Sequence, residues 1–101
     1  MPVDLAERHI SFLRETCAAA LGGRRCTVYL FGSRATGRAV AGSDVDLAVE
    51  CATPVDRELC ALREALEESH LPYFADVVDL KTAGEALRRQ VLAEGAVLWK
   101  S

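Results

Sequence analysis

Two aspartates one residue apart, Asp44 and Asp46, follow a Gly32-Ser33 pair after ten intervening residues, within the stretch LFGSRATGRAVAGSDVDLAVE. Successive side chains on a strand alternate faces, so the two carboxylates share one face with alpha carbons about 6.5 Å apart. At that spacing they repel unless a cation sits between them. Oxygen-only ligands with open positions suit magnesium, which keeps several waters and binds through one or two carboxylates plus the phosphates of a substrate. Acids placed for surface charge alone would be expected beside Lys or Arg, and none lies in the strand Val45 to Val49.

The elements that must hold this pair can be read on either side of it. Cys26 to Phe31 is apolar almost throughout, which predicts a strand that is central or buried on both faces. Gly32 then ends it where a backbone turning sharply beside a phosphate has no room for a beta carbon. Ser33 adds a hydroxyl, and Arg34 to Thr36 can open a helical turn whose backbone N–H groups favour an anion. Gly32 and Ser33 are therefore expected to hold the terminal phosphates of a nucleoside triphosphate. Arg34 and Arg38 could pair with phosphate from the same loop, with ordinary solvation as the alternative. On the second strand Val45, Leu47 and Val49 take one face, leaving Asp44, Asp46 and Ala48 on the other.

Further along the chain, Asp4 to Ala20 predicts a helix with Leu5, His9, Leu13, Cys17 and Ala20 on one stripe, ended by Gly22-Gly23. His9 reads as a packed core-edge histidine, since nothing near it makes a metal or nucleophile pair. Arg24 and Arg25 read as solvated, or as meeting a phosphate or an acidic partner. Thr53-Pro54-Val55-Asp56 resembles a capped helix start, with Val55, Leu59, Leu62 and Leu66 inward, a solvated face from Arg57 to Glu68, and a stop near Leu71-Pro72. A third strand, Tyr73 to Leu80, carries Asp76 and Asp79, which point to opposite faces. Only one of them can join the acidic pair, and the pattern does not choose. Thr82-Ala83-Gly84-Glu85 repeats the capping pattern before a helix with Leu87 and Val91 inward, ending at Gly95. Ala96 to Trp99 then predicts a short edge strand guarded by Lys100. The sum is an α/β arrangement, one mixed sheet of about four strands flanked by helices.

With 101 residues the chain is expected to form one small domain with a single core. A formal net charge of −3 argues against a polyanion-binding surface, so any phosphate must be held locally and no direct nucleic acid binding is expected. Cys17, Cys26, Cys51 and Cys60 form no CxxC pair and each sits in an apolar pattern, which predicts buried or half-buried thiols rather than a disulfide or metal site. With no signal peptide and no long apolar run, a reducing cytoplasm is the expected compartment.

Gly32-Ser33, ten residues, then Asp44-x-Asp46 resembles the signature of the DNA polymerase beta-like nucleotidyltransferases, and GSRATG followed by SDVDLAV is similar to their minimal branch. The likeness is densest from Phe31 to Val49. It implies a third carboxylate in a short strand of the form apolar-Asp-apolar-apolar, which matches Ala75-Asp76-Val77-Val78 and assigns that role to Asp76, with Asp79 a structural or capping acid. It also places Ser43 among the nucleotide contacts. Two magnesium ions held by Asp44, Asp46 and Asp76, with ATP as substrate, are what the resemblance implies for the chemistry. Minimal members are commonly encoded beside a HEPN-domain toxin and act as its antitoxin, so AMP transfer to a tyrosine hydroxyl of such a partner is the implied function. The alternatives are a non-catalytic nucleotide-binding antitoxin that works by contact, and a small-molecule nucleotidyltransferase subunit.

Overall fold

A computed structural model describes residues 5–37 and 44–101. Helix α1 (Glu7–Leu21) forms on the expected stripe and ends at Gly22, whose N–H returns to the Ala18 carbonyl. The predicted start at Asp4 lies outside the described residues. Strand β1 (Cys26–Phe31), the short helix α2 (Ser33–Thr36) and strand β2 (Val45–Cys51) follow, then α3 (Asp56–Glu67), β3 (Ala75–Asp79), α4 (Glu85–Glu94) and β4 (Ala96–Lys100).

The four strands form one mixed sheet in the order β3-β2-β1-β4. β1 is antiparallel to both neighbours and β2 is parallel to β3, the two being joined through α3 as a parallel crossover requires. The largely apolar character of β1 follows from its interior place in the sheet, with Thr27 and Tyr29 partly exposed. Helices α1 and α3 cover one face, where Leu13, Cys17, Leu21, Leu59, Leu62 and Leu66 bury against Val45, Leu47 and Val49. Each fully buried leucine there contributes about 1.5–3 kcal/mol. Among the described residues the opposite face is covered by α4, with Val91 in a smaller cluster that includes Phe31, Ala48 and Leu80. Helix α4 leaves Asp44 exposed ahead of β2 and Asp76 exposed on β3, so among the described residues that face is open there. Strand β4 takes the expected edge place, and Trp99 packs half-buried against the main core.

Several local expectations need correction. Helix α3 starts at Asp56, with Val55 rather than Thr53 in the cap position, and α4 starts from Gly84 with no side-chain cap. The Thr82 hydroxyl instead donates to the Asp79 carbonyl at 3.3 Å, as part of the turn that leaves β3. Strand β3 is shorter than predicted and begins at Ala75. The charged face of α3 is not wholly solvated: Arg24 pairs with Glu58 at 3.1 Å, and Arg63 Nη2 donates to the Val77 carbonyl at 2.9 Å. No helix among the described residues is long and apolar enough to cross a membrane.

The cysteines are the largest correction. Cys26 and Cys51 are register partners on β1 and β2 and are joined by a disulfide, while Cys60 is exposed. Only Cys17 keeps its predicted place as a buried thiol, and burial pushes it up to about 12. The reason lies in the hairpin register: the pairing that sets Phe31 opposite Asp46 also sets Cys26 opposite Cys51. Without reductant, the denatured protein is expected to show two titratable thiols and, after reduction, four. In the native state only Cys60 should alkylate readily, because the thiolate is the reactive form and Cys17 is both enclosed and protonated. Four reactive thiols in the unreduced, denatured protein would contradict the cross-strand bond.

Candidate active site

The open end of the second sheet face is built by three neighbouring strands. Gly32 ends β1, the Asp44-Asp46 pair opens β2, and Asp76 lies on β3. In the parallel β2–β3 pair Asp46 is the register partner of Asp76, so both side chains leave the sheet on one face from strands about 4.8 Å apart. Asp44, two residues before Asp46, joins them there. Asp79 is placed on the other face beside Val49, and its Oδ1 accepts the Lys81 N–H at 2.9 Å, the structural role expected of it.

Gly32 has a positive φ of 76°, and a beta carbon added there would lie 2.5 Å from Asp46 Oδ2. Glycine is therefore required twice, for backbone conformation and for the close approach of a carboxylate. The Ala35 N–H returns to the Gly32 carbonyl at 3.1 Å and closes the turn that begins α2.

Electrostatically the site is a concentration of negative charge. Burial, and then the charges of Asp76 and Asp44, hold the Asp46 carboxyl above the usual carboxylate range. A divalent cation would relieve this repulsion, and an oxygen-only donor set with room for waters and phosphate fits a hard ion. Among the described residues no three His, Cys, Asp or Glu side chains close into a coordination shell by themselves.

Arg34 is not solvated, which was the alternative to its expected pairing with phosphate. It is buried, with its guanidinium 4.3 Å from the centre of the Tyr73 ring, and the same ring meets His9 edge-to-face with centroids 5.3 Å apart. The His9–Tyr73–Arg34 stack thus ties α1, the approach to β3 and the glycine turn together. Sequence reasoning missed it because 9, 34 and 73 belong to no common motif. Arg38 and Ser43 lie outside the described residues, as does the Ser33 side chain.

The glycine turn, the acidic strand start and the third acid on the next strand stand together as the resemblance implied. The family model described as Polymerase beta, Nucleotidyltransferase matches residues 26–101, and the chain belongs to that family. Over 65 residues it is 43% identical to the probable protein adenylyltransferase MntA of Haemophilus influenzae, a match covering 61% of this chain and 55% of that protein. A solved toxin–antitoxin structure with AMP-PNP is similar over 95% of this chain and 75% of that one, with a TM-score of 0.73 and 29% identity. So is a complex of tri-AMPylated Shewanella oneidensis HEPN toxin with MNT antitoxin, at TM-score 0.59 and 26% identity over 91% of this chain and 73% of that one. The chain spans about half the length of the curated relatives it matches.

Proposed function

We propose that this chain transfers AMP from ATP to a tyrosine hydroxyl on a HEPN-domain toxin and so acts as the antitoxin of the pair. The observation that carries the reading is the register pairing of Asp46 with Asp76, which gathers three acids on one face beneath the Gly32 turn. The named adenylyltransferase relative and the AMPylated HEPN complex support the choice of reaction and partner.

Gly32 and Ser33 hold the terminal phosphates at the end of β1, with Arg34, Arg38 and Ser43 as the further nucleotide contacts. Asp44, Asp46 and Asp76 would hold magnesium, two ions when the site is full. When bound, magnesium would neutralise the triphosphate and ease ionisation of the attacking hydroxyl. Asp76, on the strand farthest from the phosphate turn, accepts the hydroxyl proton as the acceptor oxygen bonds to the α-phosphorus and the bond to pyrophosphate breaks. The protein contributes placement and charge compensation. The proposed reaction draws on cytoplasmic ATP, and in that reducing compartment Cys26 and Cys51 are expected as thiols.

Incubation with magnesium, ATP and the co-purified partner, followed by intact mass measurement of both proteins, is expected to show the partner gaining whole AMP increments. A bound but unmodified partner would point to neutralisation by contact, and label on a small molecule to a different acceptor; either would overturn the reading.

A further inference from the structure

Phe74 is a large apolar side chain left 71% exposed at the rim of the carboxylate site. Phe74 immediately precedes β3, and its carbonyl accepts the Val45 N–H at 2.9 Å as part of the Val45–Ala75 pairing. Phe74 therefore lies beside the start of β2, two residues before Asp76, a separation of about 6.5 Å along an extended chain. Phe74 and Asp76 line a groove of about 310 Å³ together with Arg63, Leu66 and Tyr73.

The order of the strands gives the site a direction. With terminal phosphates on the β1 side and the acidic pair on β2, an in-line displacement brings the acceptor in from the β3 side, opposite the leaving pyrophosphate. Phe74 stands on that side. We propose that Phe74 is the acceptor-binding residue of the site and that it selects an aromatic hydroxyl, a tyrosyl side chain, over an aliphatic one. This inference rests on the transfer reading given above.

The selection follows from reach. A phenol whose oxygen meets the Asp76 carboxylate carries its ring into the 4.5–7 Å range at which aromatic pairs stack or meet edge-to-face. A serine or threonine hydroxyl brings no ring to that place and leaves Phe74 in water. The groove beyond gives room for the backbone that bears the tyrosyl group. Because Arg63 already occupies the Val77 carbonyl on the open edge, the acceptor chain crosses this groove rather than extending the sheet as a further strand.

The test separates binding from transfer. With magnesium and AMP-PNP present, N-acetyl-tyrosinamide is titrated against N-acetyl-serinamide while the Phe74 ring is followed by NMR. Expected are saturable shifts of the ring with the tyrosyl compound, at least tenfold weaker association of the seryl compound, and at least fivefold weaker tyrosyl association in Phe74→Ala. AMP-PNP affinity should stay within twofold in that variant, whose replaced side chain contributes little to the core. Shifts of the ring with nucleotide alone, joined to weaker nucleotide binding in Phe74→Ala, would place the base there and overturn the proposal. Equal or absent response to the two acceptors would also overturn it. Selective tyrosyl binding without AMP transfer to any acceptor would leave the role of Phe74 standing and refute the transfer reading instead.

Discussion

Asp46→Asn is expected to lower AMP transfer at least a thousandfold, about 4 kcal/mol of barrier, while the protein still folds. Asp46 is the acid that links the described parts of the acidic group to the turn: it lies in register with Asp76, two residues from Asp44, and against Gly32. Its charge is already disfavoured by burial and by its two acidic neighbours. Removing that charge should leave thermal stability without ligand unchanged or higher, since a repulsion disappears. Stabilisation by magnesium with AMP-PNP should vanish, because a ligand stabilises only in proportion to its binding to the folded state. Transfer near the wild-type rate would mean that Asp46 is a structural acid.

Gly32→Ala carries the second large effect, by a different route. The φ of 76° is unfavourable for alanine by roughly 1–2 kcal/mol. The new methyl would also stand 2.5 Å from Asp46 Oδ2, so the carboxylate or the turn must move. Displacement of a reacting group by about 1 Å can cost a hundredfold in rate. Expected are a loss of that order in transfer and a fall of about 1–2 kcal/mol in the free energy of denaturant unfolding. An alanine variant as active and as stable as the parent would show that neither the turn nor the close approach matters.

What could be read from the residues alone divides along physical lines. Strands β1 and β2 and the inward faces of α1 and α3 were legible because burial imposes period and composition, as Leu59, Leu62 and Leu66 illustrate. Asp44 and Asp46 could be placed on one face for the same reason. Choosing Asp76 over Asp79 required the resemblance, since strand alternation separates the two acids without saying which face is which. The helix starts were misread at Thr53 and Thr82 because a capping pattern states only that a cap can form. Turn geometry then placed Val55 and Gly84 at the ends.

The Cys26–Cys51 bond and the His9–Tyr73–Arg34 stack were illegible for another reason. Both depend on how distant segments are brought together, the first through hairpin register and the second through packing of α1 against the approach to β3. A register drawn backward from Phe31 and Asp46 contained the signal for the disulfide. No pattern in the chain contained the one for the stack.

Titration calorimetry of AMP-PNP into the wild-type protein, with magnesium and with a chelator, tests most directly whether the three acids form a cation-dependent nucleotide site. Saturable binding at one site in magnesium, lost with the chelator and lost again in Asp46→Asn, is the expected result. Binding of equal strength with and without the divalent ion, or undiminished in Asp46→Asn, would contradict it.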